Sequence, residues 1–600
     1  MKHIMFDIKK FARMATAAIT LLGIYACNDD FMERYPITDL NNEAFWNSEN
    51  DLKVYNNGIY NTVVDLRFFA GNEKSASGSK ENSFMAVEAV SDNFASTDVN
   101  LQKWANISAG LHTAEVSTTP YSRWTWEVLY RINFFLDNYE KAVNVPEATR
   151  NRYAGEALFW RAWFYFDKMQ EFGQVPLIQH ALNDKSPELY APQNSREEIA
   201  SAIIADINKA IEYLPEEWPS NSPDRVNKYT ALTLKTRISL FEGTWRKYRN
   251  MDGWQNFLSD AASAAEAVMN SGRYEIYNTG KPGSDYRTLF TSLDLHGNKE
   301  VIIAKYYDTG KYTHSINGNL VTQGFMIGVT KDLVDDYLCK ESDGTAKPVT
   351  LSSTYKDDAI EDVFDNRDPR LAQTVLDPRM EEDIIGTSTR QYPKLSGMNG
   401  NSWVSLTGYN YIKNYNKNDA NGGNSEITDF PILRYAEILL SYAEAKAELG
   451  NITQADLDKS IKLLRDRAGM PNLDLNPPMD PKYAAEGISS LLVEIRRERR
   501  VELSFENSRY QDLMRWKKGA RLSMPVLGIR IDDADIAENG RYAGASVTRF
   551  EVNGKKYLDA YAGTQFARDK RSFNENKHYL FPITTNVMAK NPNLVQTPGW

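Results

Sequence analysis

Residues 156–177 read EALFWRAWFYFDKMQEFGQVPL. The run from Glu156 holds no Pro or Gly until Gly173, and Pro176 lies just beyond it, so the pattern predicts a helix over about 148–172 with a glycine stop. Its apolar residues do not keep to one stripe. Trp160, Trp163, Phe164, Tyr165 and Phe166 carry more apolar mass than one helix face needs, which places this helix between neighbouring helices.

The neighbours are legible on both sides. Ser48-Glu49-Asn50-Asp51 resembles a capping box, and Leu52, Tyr55, Ile59 and Val63 follow at helical spacing. Trp126, Leu129, Ile132 and Leu136 form another face. Ser195-Arg196-Glu197-Glu198 is a capping box opening Ile199, Ile203, Ile207 and Ile211, with Leu214 closing the stripe. Asn227 opens a helix with Leu234, Ile238 and Phe241, and Trp254–Ser271 is another. Helices return at Pro431, with Ile432, Tyr435, Ile438, Leu439 and Tyr442 on one face. Thr453 to Asp456 caps Leu457, Ile461 and Leu464. Leu491, Ile495 and Leu503 lie in a helix running into Arg515-Trp516.

Paired amphipathic helices with short connections predict a mainly α chain of stacked helical hairpins. The 431–468 pair is close to the ~34 residues of a tetratricopeptide unit, but that repeat's W-x₂-L-G-x₂-Y pattern is absent. The scaffold is expected over about 43–65, 119–272 and 431–518. Residues 66–118 and 273–430 read as long irregular insertions, with Val301–Ala304 a short strand, and 519–600 as an irregular C-terminal part.

Composition removes several functions. The chain has 600 residues, with charged residues at 25% and hydrophobic residues at 42%, which is globular rather than disordered. Two cysteines, Cys27 and Cys339, exclude a disulfide scaffold and a cysteine-based zinc site. Six scattered histidines show no HExxH spacing. A net charge of −10 argues against nucleic acid as partner. No apolar run reaches the ~20 residues of a membrane helix.

Residues 1–26 form a basic start (Lys2, Lys9, Lys10, Arg13) and a short apolar segment, Met14–Ile24, as in a secretory signal. They end at Ala26-Cys27, which resembles a bacterial lipobox with Cys27 as the lipidated residue. Tyr25 is bulkier than such motifs prefer, and a signal peptide with an incidental cysteine is the alternative. Cleavage removes four basic residues and one acidic one, moving the net charge to −13. Acyl chains anchor through buried CH₂ groups, so a multiply acylated cysteine holds firmly. Cys339 is then a lone thiol expected to be buried packing.

Four segments together resemble the SusD/RagB family of nutrient-binding outer-membrane lipoproteins of Bacteroidetes. They are Glu156–Leu177, with Trp160 where the family usually has Leu or Tyr; Leu433–Ala445; Glu498–Glu506 with Arg509–Trp516; and Tyr579–Ile583 with Asn591–Gln596 and the terminal Pro598-Gly599-Trp600. Asn366-Arg367-Asp368-Pro369-Arg370 adds to the match, as does acidic Asn28-Asp29-Asp30 after the lipobox. The resemblance implies one domain over 27–600 with a tetratricopeptide-like scaffold. It further implies a surface-exposed lipoprotein that binds glycans, or sometimes peptides, and hands them to a SusC-type TonB-dependent transporter barrel. It implies no enzyme.

The signature residues themselves read as structural. Glu498, Arg499, Arg500, Glu502, Glu506, Arg509, Asp512 and Arg515 alternate in sign at spacings that suit ion pairs within and between helices. A sugar needs aromatic faces with polar groups beside them, carried on loops over a rigid scaffold. The expected ligand-binding residues are therefore Asp92, Asn93 and Trp104 in the first insertion, where Ser91 and Phe94 also stand out, and Tyr307, Tyr312 and Trp403 in the second, where Tyr306, Tyr409 and Tyr411 stand beside them. Trp104 leads, because Gln102, Lys103 and Asn106 surround it. No cofactor is expected. The many loop Asp and Asn leave room for a structural calcium, though no EF-hand run is present and no metal ligands can be named. Two alternatives stay open: a surface adhesin or assembly scaffold, and a glycoside hydrolase, which needs only two carboxylates at the correct separation.

Overall fold

The computed structural model describes residues 45–63, 88–97, 102–115, 124–219, 224–314, 327–382, 384, 391–398, 404–419 and 425–600. Cys27 and Trp403 lie outside the described residues.

The first half is helical: α1 (Glu49–Val63), α2 (Gln102–Ser108), α3 (Glu127–Asn138), α4 (Glu147–Phe172), α5 (Arg196–Tyr213), α6 (Lys228–Lys247) and α7 (Trp254–Asn270). Next come α8 (Asp285–Phe290), α9 (Lys331–Val334) and α10 (Arg370–Thr374), then α11 (Tyr435–Glu448), α12 (Gln454–Asp458), α13 (Ile461–Arg467), α14 (Ser490–Glu502) and α15 (Arg509–Arg515). The short α16 (Asp533–Ile536) and α17 (Thr585–Lys590) follow. Helix packs on helix in succession: α3 on α4, α4 on α5, α5 on α6, α6 on α7, α7 on α11 and α11 on α14. This is a tetratricopeptide-like helical stack. No helix among the described residues is long and apolar enough to cross a membrane.

Helix α4 sits inside that stack. Every residue from Tyr153 to Phe172 is buried, including the five aromatic residues of the opening stretch. Trp160 and Trp163 stack with ring centroids 5.8 Å apart, and Phe166 meets Phe241 of α6 edge-on at 5.5 Å. Gly173 ends the helix at φ +74, where its N–H donates to Met169 O at 3.1 Å; a side chain there would be strained. Gly243 lets α7 approach α6, since a Cβ would lie 2.8 Å from Leu258. The capping boxes at Ser195 and Thr453 form as expected.

Small sheets tie the two insertions to each other and, through residues 430–434, to the start of α11. Strand β1 (Phe94–Ser96) pairs with β3 (Ile327–Val329), and β2 (Val301–Lys305) with β6 (Phe430–Arg434), both antiparallel. β4 (Cys339–Lys340) pairs with β5 (Ala346–Lys347). β7 (Leu527–Arg530), β8 (Arg549–Val552) and β9 (Lys555–Asp559) form a sheet in the order β7-β9-β8.

Several boundaries differ from the sequence reading. The helix expected from Pro431 begins at Tyr435, because 430–434 is extended and pairs with β2, Pro431 opposite Ala304. The helix expected through Leu457 and Leu464 breaks at Ser460, whose hydroxyl bonds Asp456 O. The helix expected to run on to Trp516 is two helices. Between them, Phe505 (φ 62) and Asn507 (φ 60) adopt left-handed backbone, and Phe505 is held there fully buried beneath Tyr411 at 4.2 Å. The stretch after 519 carries the three-stranded sheet, whose strands of four or five residues are too short to show a period.

Candidate functional site

The signature charges are buried and paired. Glu502 of α14 accepts from three guanidinium groups: Arg370 at 2.8 Å, Arg434 at 2.7 Å and Arg467 at 2.5 Å. Burial works to raise its carboxyl pKa, but Arg467, Arg434 and Arg370 hold it well below the ordinary value. Arg434, carried by β6, also reaches Glu300 at 2.7 Å and Glu506 at 2.6 Å. Arg515 of α15 binds Glu444 of α11, and Arg161 of α4 binds Asp206 of α5 at 2.7 Å. These pairs cross from element to element and are buried, with only Glu506 partly exposed.

The leading expectation from sequence is corrected here. Trp104 has no exposed surface, so it offers no face to a sugar. It lies on the inner side of α2 with Ala105, Ile107 and Ser108. Gln102, Lys103 and Asn106 are the outer side of that short amphipathic helix. Asn93 is also corrected: fully buried, it donates to Glu88 at 2.8 Å and accepts from Arg500 at 2.9 Å. Asp92 accepts from Arg509 Nε at 2.7 Å and Nη2 at 2.8 Å. Burial works against its charge, and Arg500 and Arg509 more than offset that, holding the carboxyl below its ordinary range. Asp92 thus joins the first insertion to α14 and α15. Tyr409 and Tyr411 are core residues.

The second insertion offers a different surface. Residues 308–312 close a tight hairpin: Asp308 N donates to Tyr312 O at 2.9 Å and Tyr312 N to Asp308 O at 3.1 Å. Gly310 turns it at φ +87, and Asp308 to Lys311 are exposed. Tyr307 and Tyr312 are brought together, stacked at 5.6 Å, with the Lys305 ammonium over both rings and donating to Tyr312 Oη at 3.3 Å. Tyr307 is buried against His314, whereas Tyr312 is half-buried. Beside this pair, Tyr306 stacks on the exposed His296 imidazole at 3.9 Å and 14°. Asp294 meets His296 Nδ1 at 2.7 Å and Asp224 meets Nε2 at 3.5 Å. Leu293, also exposed, completes a rim of aromatic, apolar and carboxylate groups.

That rim is the candidate site. Partial burial disfavours the charged imidazole of His296, but Asp294 and Asp224 raise its pKa above the ordinary value. Tyr306 stood beside the expected ligand residues of the second insertion, whereas His296, Asp294 and Asp224 were not among them. The D-x-H spacing at 294–296 was a local signal. Asp224 comes from a loop some seventy positions away and left none.

Among the described residues, Asp294, His296 and Asp429 have ligand atoms within 4.8 Å of one another and could hold a cation. Asp429 already accepts from Leu295 N at 2.9 Å and Tyr307 N at 2.8 Å, and burial raises its pKa. An imidazole suits a transition metal better than calcium.

Two family models match the chain: one described as "SusD family" over residues 299–600, and one described as "Starch-binding associating with outer membrane" over residues 30–240. The chain belongs to the SusD family. Similar SusD-family proteins include SusD-like protein P2 of Formosa agariphila, 24% identical with 98% of this chain and 99% of that one covered. A SusD-like protein of Bacteroides ovatus is 22% identical, covering 98% of each. A SusD-like carbohydrate-binding protein of Bacteroides fragilis has the same fold, with a TM-score of 0.70, 23% identity, and 92% of this chain and 100% of that one covered. A laminarin-binding SusD-like protein matches with a TM-score of 0.56 at 19% identity, covering 92% of this chain and all of that one.

Proposed function

We propose that this SusD-family protein binds glycans at the cell surface through the His296–Tyr306 rim. It would hand them to a SusC-type TonB-dependent transporter barrel while anchored in the outer membrane through Cys27. The observation that carries the glycan half is the solvent-facing rim: a stacked aromatic pair flanked by Asp224 and Asp294, set on loops over a helical scaffold. A pyranose ring presents C–H faces to aromatic rings and hydroxyls to carboxylates, so the rim matches both parts of such a ligand. The carbohydrate-binding and laminarin-binding proteins of the same fold support the ligand class. The family description that names outer-membrane association supports the location. Capture rather than cleavage fits a family defined by binding.

Isothermal titration of the purified protein against a panel of oligo- and polysaccharides tests this reading. Saturable heat with at least one glycan, without release of reducing ends, is the expected result. Binding to peptides and to no glycan would overturn the ligand class. Release of reducing ends would overturn capture without cleavage.

A further inference from the structure

Carboxylates outweigh positive charge around the His296–Tyr306 stack. Asp294 and Asp224 keep 72% and 46% of their side-chain surface in solvent, and His296 keeps 51%. Asp429 lies behind them, with a carboxylate oxygen within 4.8 Å of ligand atoms on Asp294 and His296. The two exposed carboxylates against one imidazole leave a net charge of −1 with the ring protonated and −2 with it neutral.

The imidazole is already committed. Asp294 Oδ1 lies 2.7 Å from its Nδ1 and Asp224 Oδ1 lies 3.5 Å from its Nε2. Each ring nitrogen therefore faces a carboxylate, and neither is left to donate to an anionic ligand. The cations that neighbour the rim in the chain add no spare charge. Lys299 pairs with Glu275 at 3.2 Å, Lys311 with Asp308 at 2.7 Å and Lys228 with Glu216 at 3.0 Å. Lys305 is buried over Tyr307 and Tyr312. Arg225, next to Asp224, turns inward, and its Nε donates to Glu156 at 2.6 Å.

A uronate carboxylate or a sulfate ester seated on this stack would meet like charge at close range, with no donor to offset it. A hydroxyl meets no such penalty. It can donate to either carboxylate, which only accepts while ionised. Resting on the glycan-binding reading above, we propose that the rim selects uncharged glycans and rejects sugar units that carry uronate or sulfate, with Asp224 and Asp294 as the discriminating residues.

The test begins with native affinity electrophoresis of the purified protein and of Tyr306→Ala. The gels hold neutral polysaccharides (laminarin, starch, galactomannan) or acidic ones (polygalacturonate, alginate, chondroitin sulfate). Retention by at least one neutral polysaccharide, weakened in Tyr306→Ala, and by no acidic one is the expected result. The retained polysaccharide and its carboxymethylated derivative are then titrated side by side. The derivative is expected to bind at least about tenfold more weakly at low salt, and the gap to narrow as salt is raised. Asp224→Asn with Asp294→Asn is expected to bring the two affinities within about threefold of each other, and each single variant to shift the ratio the same way. The ratio is read because both carboxylates also take hydroxyls. Asp294→Glu, which keeps the charge, is expected to keep the ratio.

Retention by an acidic polysaccharide that Tyr306→Ala abolishes would overturn the charge selection and leave the rim as the site. Retention that Tyr306→Ala does not change would overturn the rim as the site. No retention by any polysaccharide would overturn the glycan reading and the selection with it. An unchanged ratio in the Asn variants would overturn the assignment to Asp224 and Asp294.

Discussion

Trp104 shows how a residue is misread from its neighbours. Polar residues at 102, 103 and 106 around a tryptophan suit a sugar site and suit an amphipathic helix equally, and burial decides for the helix. Trp104→Ala is therefore expected to cost about 3–5 kcal/mol of stability, seen as a lower denaturant midpoint, with glycan affinity unchanged in the folded fraction. A stable variant with lost affinity would reverse the assignment. His112 is a second residue-scale case. It is buried against His578 at 5.2 Å and Trp600 at 4.8 Å. Burial pushes its pKa down to about 3, and burial with Lys577 pushes that of His578 down to about 4. Both lie below the ordinary 6.5, so the unfolded chain takes up protons first as pH falls. Stability from these groups is expected to be complete above about pH 6.5 and to decline from there toward pH 3. Urea midpoints from pH 8 to 4 check the slope, and His112→Leu should reduce it.

At the scale of elements, the helices that pack on both sides were legible because apolar mass and caps are local signals. The opening stretch and the Ser195 box needed nothing from elsewhere in the chain. The missed boundaries are those that distant partners set. β6 is extended because β2 pairs with it, and the extension delivers Arg434 to Glu300, Glu502 and Glu506. The break at 503–508 is imposed by Phe505 under Tyr411. The alternating charges were readable as scaffold, but not which carboxylate is central. Glu502 holds three arginines, so Glu502→Gln leaves buried guanidinium charge undercompensated. It is expected to destabilise the fold by about 3–5 kcal/mol, measured by chemical denaturation. A loss below about 1 kcal/mol would show that the remaining carboxylates suffice.

At the scale of the molecule, a linear order of helices becomes a stack because each helix meets the next, so the family's fold could be inferred from segments spread over the whole chain. The site could not. The rim joins Asp224, residues 293–296 and Tyr306 from loops whose meeting depends on the β2–β6 pairing and the stack beneath, and no spacing rule encodes that. The proposed lipid anchor at Cys27 makes an independent prediction for the whole molecule. Cys27→Ser is expected to move the protein from the outer-membrane fraction to the soluble fraction, checked by fractionation and immunoblot, and retention would contradict the lipid anchor. The most direct test of the central claim is titration of wild-type protein and Tyr306→Ala with the same glycan. A weakening of about 3–10-fold with an unchanged unfolding midpoint is predicted, as expected for loss of one aromatic contact. Equal affinities would contradict the assignment of glycan binding to this rim.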